Sequence, residues 1–298
     1  MVVDIVWLAG SERLSLSMPS LLRLAPATLL LAVLALYCRA CDSALLCRMH
    51  VPVTGVLFII VAFATLRVFD HLTASIPVPF VDDLLSRMDR AMGLDWLGYA
   101  EWVARYPTII ALFQLAYKGL TLVTLLVFAV LLFAVGAARA GEFARLVFWT
   151  GLATVIIGTA FPAKAAMDRF ASAELRLVFG PDAGVYPLPY LAALRSHAAY
   201  VLDLNEMPGL VAMPSFHTIC GLLIVYACRG HRYLWPTAVT YSIVMIASTP
   251  IMGGHYFVDL IAGALLTLAV VAINNRVVYA VGYRAGSVSA TVPRGAHS

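Results

Sequence analysis

Gly253-Gly254-His255-Tyr256-Phe257-Val258-Asp259-Leu260-Ile261-Ala262-Gly263-Ala264-Leu265-Leu266-Thr267-Leu268-Ala269-Val270-Val271-Ala272-Ile273 is the stretch on which the reading of this chain turns. From His255 to Ile273 it has the length and composition of a membrane span, which takes about 20 mostly apolar residues. It carries one acid, Asp259. An Asp at the centre of a membrane helix is unfavourable by ~2.5–3.5 kcal/mol, so a carboxylate in this setting needs a partner. His255 stands four residues earlier, on the same helix face and within hydrogen-bond reach. A carboxylate bonded to one imidazole nitrogen fixes the tautomer and raises the basicity of the other nitrogen. The stretch therefore reads as a span and as a reactive pair at once.

The rest of the chain has the same character. Of its 298 residues 62% are apolar and 12% charged, with a mean hydropathy of +0.91. Soluble domains carry about 25% charged residues, and half of that cannot cover a water-soluble globule of this size. Secreted disulfide scaffolds, nucleic-acid modules and disordered chains are thereby excluded. What remains is an all-α, polytopic integral membrane bundle of six or seven helices. Seven spans can be placed: Leu21–Cys38, Val51–Val68, Gly119–Ala137, Phe143–Pro162, Leu210–Cys228, Leu234–Pro250 and His255–Ile273. Basic residues sort their connections. On the side bearing Arg139, Arg145, Arg229 and Arg232, nine bases meet two acids; on the other, ten bases face thirteen acids. This asymmetry puts the carboxyl terminus in the cytoplasm and the amino terminus outside. The two long connections, 69–118 and 163–209, are then expected on the periplasmic face of a bacterial inner membrane.

Within those connections Val81–Leu97 and Tyr190–Leu204 have the spacing of amphipathic interfacial helices. Pro107–Tyr117 reads as a half-helix entering the third span. Val2–Gly10 is too short to span, and no basic stretch precedes it to make a signal peptide. Three regions follow: residues 1–79 with the tail and first two spans, 80–275 as the site-bearing membrane domain, and 276–298 as a disordered cytoplasmic tail.

A second histidine lies in Val211-Ala212-Met213-Pro214-Ser215-Phe216-His217-Thr218. Pro214 suits the first position of a helix, and the amides and positive dipole end beside Ser215 and His217 suit an anion. From His217 to His255 is 38 residues, one span out and one back, so both histidines return to one membrane face. Alone, His217 is an ordinary packed or interfacial histidine and Asp259 an ordinary helix-packing acid; their conjunction with His255 points to catalysis. Lys164, Arg169 and Arg195 are the cations available to an anionic substrate, although snorkelling at the interface explains each about as well. Cys38, Cys41, Cys47 and His50 form Cys-x2-Cys-x5-Cys-x2-His, whose five-residue gap is short for a zinc loop. No metal, no cofactor and no disulfide is expected.

Met213–Thr218 resembles the second signature, and Ser248–Asp259 the third, of the type 2 phosphatidic acid phosphatase superfamily. The third signature runs Ser-Arg-x5-His-x3-Asp. Here Ser248, His255 and Asp259 are in register, and Thr249 stands at the arginine position. The string Gly254–Gly263 is similar to the branch containing fungal inositol phosphorylceramide synthase, which commonly lacks this arginine. The first signature, Lys-x6-Arg-Pro, is not present literally; Phe161-Pro162-Ala163-Lys164, with Arg169 beyond, takes its place. The resemblance covers about residues 80–275.

It implies phosphoryl transfer through a phosphohistidine. His255 would attack phosphorus, Asp259 would orient it, and His217 would protonate the leaving oxygen and then activate water or an alcohol. Lys164, Arg169, Arg195 and amides near Ser215 would hold the phosphoryl oxygens. The implied substrates are a phospholipid, a sphingolipid or a polyprenyl phosphate, with no nucleic acid. A lipid phosphodiester is a monoanion and needs fewer cations than a nearly dianionic monoester. The threonine therefore tilts the expectation towards an inositolphosphotransferase-like transfer of head groups. Phosphatidate or polyprenyl phosphate or diphosphate hydrolysis is the alternative. A lipid transporter is the rival of another class, but its midplane site and inverted repeats are not apparent.

Overall fold

In lipid a backbone must satisfy its own hydrogen bonds, so apolar stretches fold as helices. The computed structural model describes residues 1–40, 43–196 and 198–290, except the side chains at 44, 45, 48 and 278–290. Helix α1 (Val2–Ala9) and strand β1 (Leu14–Leu16) precede two long helices, α2 (Met18–Ala40) and α3 (Ala44–Ala74). Then come α4 (Asp82–Ala91), α5 (Trp96–Ala104), α6 (Pro107–Lys118) and α7 (Leu120–Val130), the last extended by a wide π-helical turn, Leu131–Val135. The long α8 (Ala137–Ala160) leads to three short helices, α9 (Ala166–Phe170), α10 (Ala173–Phe179) and α11 (Leu188–Arg195). Strand β2 (Tyr200–Leu202) is followed by α12 (Phe216–Ala227), α13 (Leu234–Met252) and α14 (Phe257–Ala290).

Among the described residues five helices are long and apolar enough to cross a membrane: α2, α3 from Met49, α8, α13, and α14 to Val277. The pair α6 and α7 makes a sixth, bent by 54° at Gly119. The expected span Leu210–Cys228 is only half helical. Pro214 cannot sit inside a helix without breaking its ladder, and Ser215 caps the helix that starts at Phe216. The resulting 12-residue α12 is about 18 Å long, against a hydrocarbon core of ~30 Å. It is sheathed by α13, α8 and α14, with Ile219, Leu223 and Ile224 fully buried. By contrast Leu29, Leu30 and Leu36 of α2 point outward, as a surface that meets lipid does.

The expected interfacial helices are shorter than their apolar patterns. Val81–Leu97 divides at Gly93, whose φ of +71° lies in the left-handed region, and Asp95 caps the next helix by accepting the Gly98 N–H at 3.0 Å. Tyr190–Leu204 ends as a helix at Arg195. Its Tyr-Val-Leu segment, a β-prone set, pairs in parallel with Leu14–Leu16. That pairing buries Leu14, Leu72, Leu194 and Leu202 together, packing the first residues of the chain onto α3 and α11. The expected disordered tail starts as helix, because α14 runs to Ala290; residues 291–298 lie outside those described. So does Cys41, on which the Cys-Cys-Cys-His reading depends.

Candidate active site

The site is built around the start of α14. Asp89 of α4 accepts the N–H groups of Phe257 at 2.9 Å and Val258 at 2.8 Å, capping the last span from a different helix. Asp89 is buried; desolvation pushes its carboxyl above the ordinary 3.8, while the two N–H groups pull the other way. The Trp96 indole of α5 donates to the carbonyls of Pro250 and His255 at 3.2 and 3.1 Å. Gly254 turns the chain between α13 and α14 with a φ of +68°, and a side chain there would run into the Gly184 carbonyl. The Gly184 N–H donates to the Met252 carbonyl at 2.9 Å and the Ala166 N–H to that of Gly254 at 2.7 Å. Both long connections thus lock this turn, the first through Asp89 and Trp96 and the second through Ala166 and Gly184.

Within the frame, His255 Nδ1 lies 3.3 Å from Asp259 Oδ2, and the same oxygen accepts the Tyr256 N–H at 3.0 Å. Asp259 is fully buried and His255 is 4% exposed. The Ser215 N–H donates to the Asp259 carbonyl at 3.0 Å, joining the two histidine-bearing segments directly. Ser215 itself is a buried helix cap, accepting the Thr218 N–H at 3.4 Å. Two residues on, the His217 ring sits 6.3 Å from that of His255, centroid to centroid. Its other face is stacked on Tyr117 at 4.0 Å and 10°, and the Tyr117 hydroxyl is 3.4 Å from that of Tyr186. A side chain on Gly253 would collide with the His255 ring and the Tyr117 hydroxyl, so the glycine keeps this edge open.

Both histidines line a cavity of about 580 Å³, together with Arg67, Asp70, Tyr117, Lys118, Lys164 and Tyr186. Of the three cations expected from sequence, only Lys164 is in its wall. Arg169 turns away to an ion pair with Asp83 at 2.6 Å. Arg195 donates to the carbonyls of Ala74 and Val78 at 3.2 and 2.9 Å and lies over the Phe80 ring at 4.0 Å. That partial burial lowers its pKa. Thr249 is also absent from the wall; its hydroxyl donates back to the Ile246 carbonyl at 2.7 Å. Sequence reasoning missed Arg67 and Asp70, although two ionisable residues near the end of one span are a functional signal in themselves. Tyr117 and Tyr186 carried no such signal. Among the described residues no three His, Cys, Asp or Glu side chains gather in a way that would hold a metal ion.

A buried histidine–carboxylate pair and a second histidine facing one cavity define a membrane protein equipped for nucleophilic and acid–base chemistry. A sequence model described as the PAP2 superfamily matches residues 83–273, and the chain belongs to that superfamily. It is an integral membrane enzyme of the phosphatase and phosphotransferase class that acts on phosphorylated lipids. No curated protein and no solved structure matches the chain.

Proposed function

We propose that His255 is the nucleophile of a phosphohistidine mechanism acting on a lipid head group. The observation that carries this is His255, bonded through Nδ1 to the buried Asp259, facing His217 across a shared cavity. With Nδ1–H donating to the carboxylate, Nε2 keeps its lone pair and attacks phosphorus. The P–O bond to the lipid breaks as N–P forms, and His217 protonates the departing alkoxide. His217 then takes a proton from the acceptor hydroxyl, whose oxygen attacks phosphorus and releases His255. A 6.3 Å separation of the rings suits one phosphorus held ~3–3.5 Å from its attacking atom.

Head-group transfer between lipids, of the inositolphosphotransferase kind, is the preferred reaction. Thr249 supports it by leaving the third signature without its arginine, as in that branch. Monoester hydrolysis is the second reading, favoured by the three cations Arg67, Lys118 and Lys164 in the same wall. The charge asymmetry of the connections supports a site facing the periplasm. Purified protein in lipid nanodiscs would receive ³²P-labelled phosphatidic acid in one arm and ³²P-labelled phosphatidylinositol with ceramide in the other. We expect an acid-labile, alkali-stable phosphoenzyme that His255→Ala lacks, and label appearing on ceramide. Asp259→Asn should lower turnover by about 10²–10⁴. Phosphate release from the first arm alone would leave hydrolysis, and turnover by His255→Ala would sink the phosphohistidine.

A further inference from the structure

Thr249 removes a cation from the third signature, yet the cavity does not lack positive charge. Its three cations differ in setting. Lys118 and Lys164 are exposed, and the Lys164 ammonium rests 5.4 Å from the centre of the Phe80 ring. Arg67 is half-buried on α3, one turn before Asp70. No hydrogen bond or ion pair of its guanidinium occurs among the described residues. Gly209 makes room for it, since a Cβ at that position would lie 3.1 Å from Arg67 Nη1. Arg67 lines the same cavity as Tyr117, His217 and His255. It also opposes the upward push that burial gives the Tyr186 hydroxyl. Asp70 fixes the register, accepting the Leu210 N–H at 2.9 Å and so holding the segment that leads to Ser215 and His217 against α3. Its second oxygen is buried and has no hydrogen-bond partner among the described residues.

We propose that Arg67 grips the phosphoryl oxygens of the substrate, supplying the charge that Thr249 does not. A guanidinium with unfilled donors in the same cavity as a nucleophile is completed by an oxyanion, to which it presents two parallel N–H groups. The residue comes from a helix that precedes the family-matched region, residues 83–273, so no signature contains it. This assignment rests on the phosphohistidine reading and adds the anion-holding group to it.

Orthovanadate, which adopts the five-coordinate geometry of phosphoryl transfer, is the probe. Its binding to the full-length protein in detergent would be measured by calorimetry for wild type, Arg67→Gln, Arg67→Lys, Gly209→Ala and Arg232→Gln. Thermal unfolding of each would be recorded alongside. Arg67→Gln should weaken binding about tenfold or more, the size of one charge-assisted hydrogen bond, without lowering the unfolding temperature comparably. Arg67→Lys should fall between, and Arg232→Gln, which removes an exposed cation outside the cavity wall, should bind as wild type. Gly209→Ala, which crowds the guanidinium but keeps every charge, should weaken binding severalfold and serves if Arg67→Gln does not fold. Wild-type binding in both Arg67→Gln and Gly209→Ala overturns the assignment, as does the absence of orthovanadate binding by wild type. Turnover in His255→Ala is the separate result that overturns the phosphohistidine itself.

Discussion

His217 is positioned by a ring rather than by a hydrogen bond. Tyr117 stacks on it at 4.0 Å, a contact worth ~0.5–1.5 kcal/mol between aromatic rings, and this fixes the plane in which the imidazole meets the cavity. We expect Tyr117→Phe to keep the stack, lose only the contact with the Tyr186 hydroxyl, and retain most of its kcat. Tyr117→Ala frees the imidazole, and misplacement of a catalytic group by about 1 Å can slow a reaction 10²-fold. Its kcat should fall by about tenfold or more with little change in KM, read from steady-state transfer of the labelled head group from phosphatidylinositol to ceramide in mixed micelles. The difference between these residues also shows what a sequence makes legible. His255 and Asp259 are related by helix period, and His217 by the distance of one span out and back. Tyr117 and Arg67 reach the site only through the packing of α6 on α13 and of α3 on α8, which no local spacing encodes.

At the scale of elements, α4 and α14 are joined through Asp89. Removing its carboxylate leaves the Phe257 and Val258 N–H groups unpaired, at about 1–3 kcal/mol for the buried Val258 N–H and less for the half-buried Phe257 N–H. Asp89→Ala should therefore lower Tm and activity together, and Asp89→Asn, which keeps one acceptor oxygen, should lower both less. Because burial raises Asp89 above its ordinary value, its stabilisation is fullest at low pH and declines as pH climbs through the raised value. The Tm advantage of wild type over Asp89→Asn should shrink accordingly in an unfolding series across that range. The helices themselves were legible wherever apolar runs were long. Where the runs were short, local chemistry overrode the pattern. Asp95 started a new helix within Val81–Leu97, Pro214 and Ser215 delayed α12, and Tyr200–Leu202 found a strand partner nearly two hundred residues away.

Across the whole molecule, reactivity and anchorage occupy opposite ends. Away from the histidines, Glu142 of α8 pairs with Arg229 at 3.1 Å, accepts from the Tyr226 hydroxyl at 3.1 Å and from Asn274 of α14 at 3.4 Å. Arg139 donates to the Arg229 carbonyl at 2.7 Å. This cluster ties α8, α12 and α14 together at the far end. Its ion pair is partly exposed, so Glu142→Ala should destabilise by about 1 kcal/mol. A Tm lower by a few degrees with unchanged kcat is the expected result, and a matching loss of kcat would show that the two ends are coupled.

Helix α3 carries a further consequence. It lies outside residues 83–273, yet Phe63, Leu66, Arg67 and Asp70 form one wall of the cavity. The groups that would make and break bonds and this part of the surface that would meet the substrate are thus written on separate stretches of chain. Drift in α3 can reshape what the enzyme accepts while the two histidines and the aspartate stay untouched. New lipid preferences are therefore open to evolution, and to the protein engineer, through the amino-terminal helices alone.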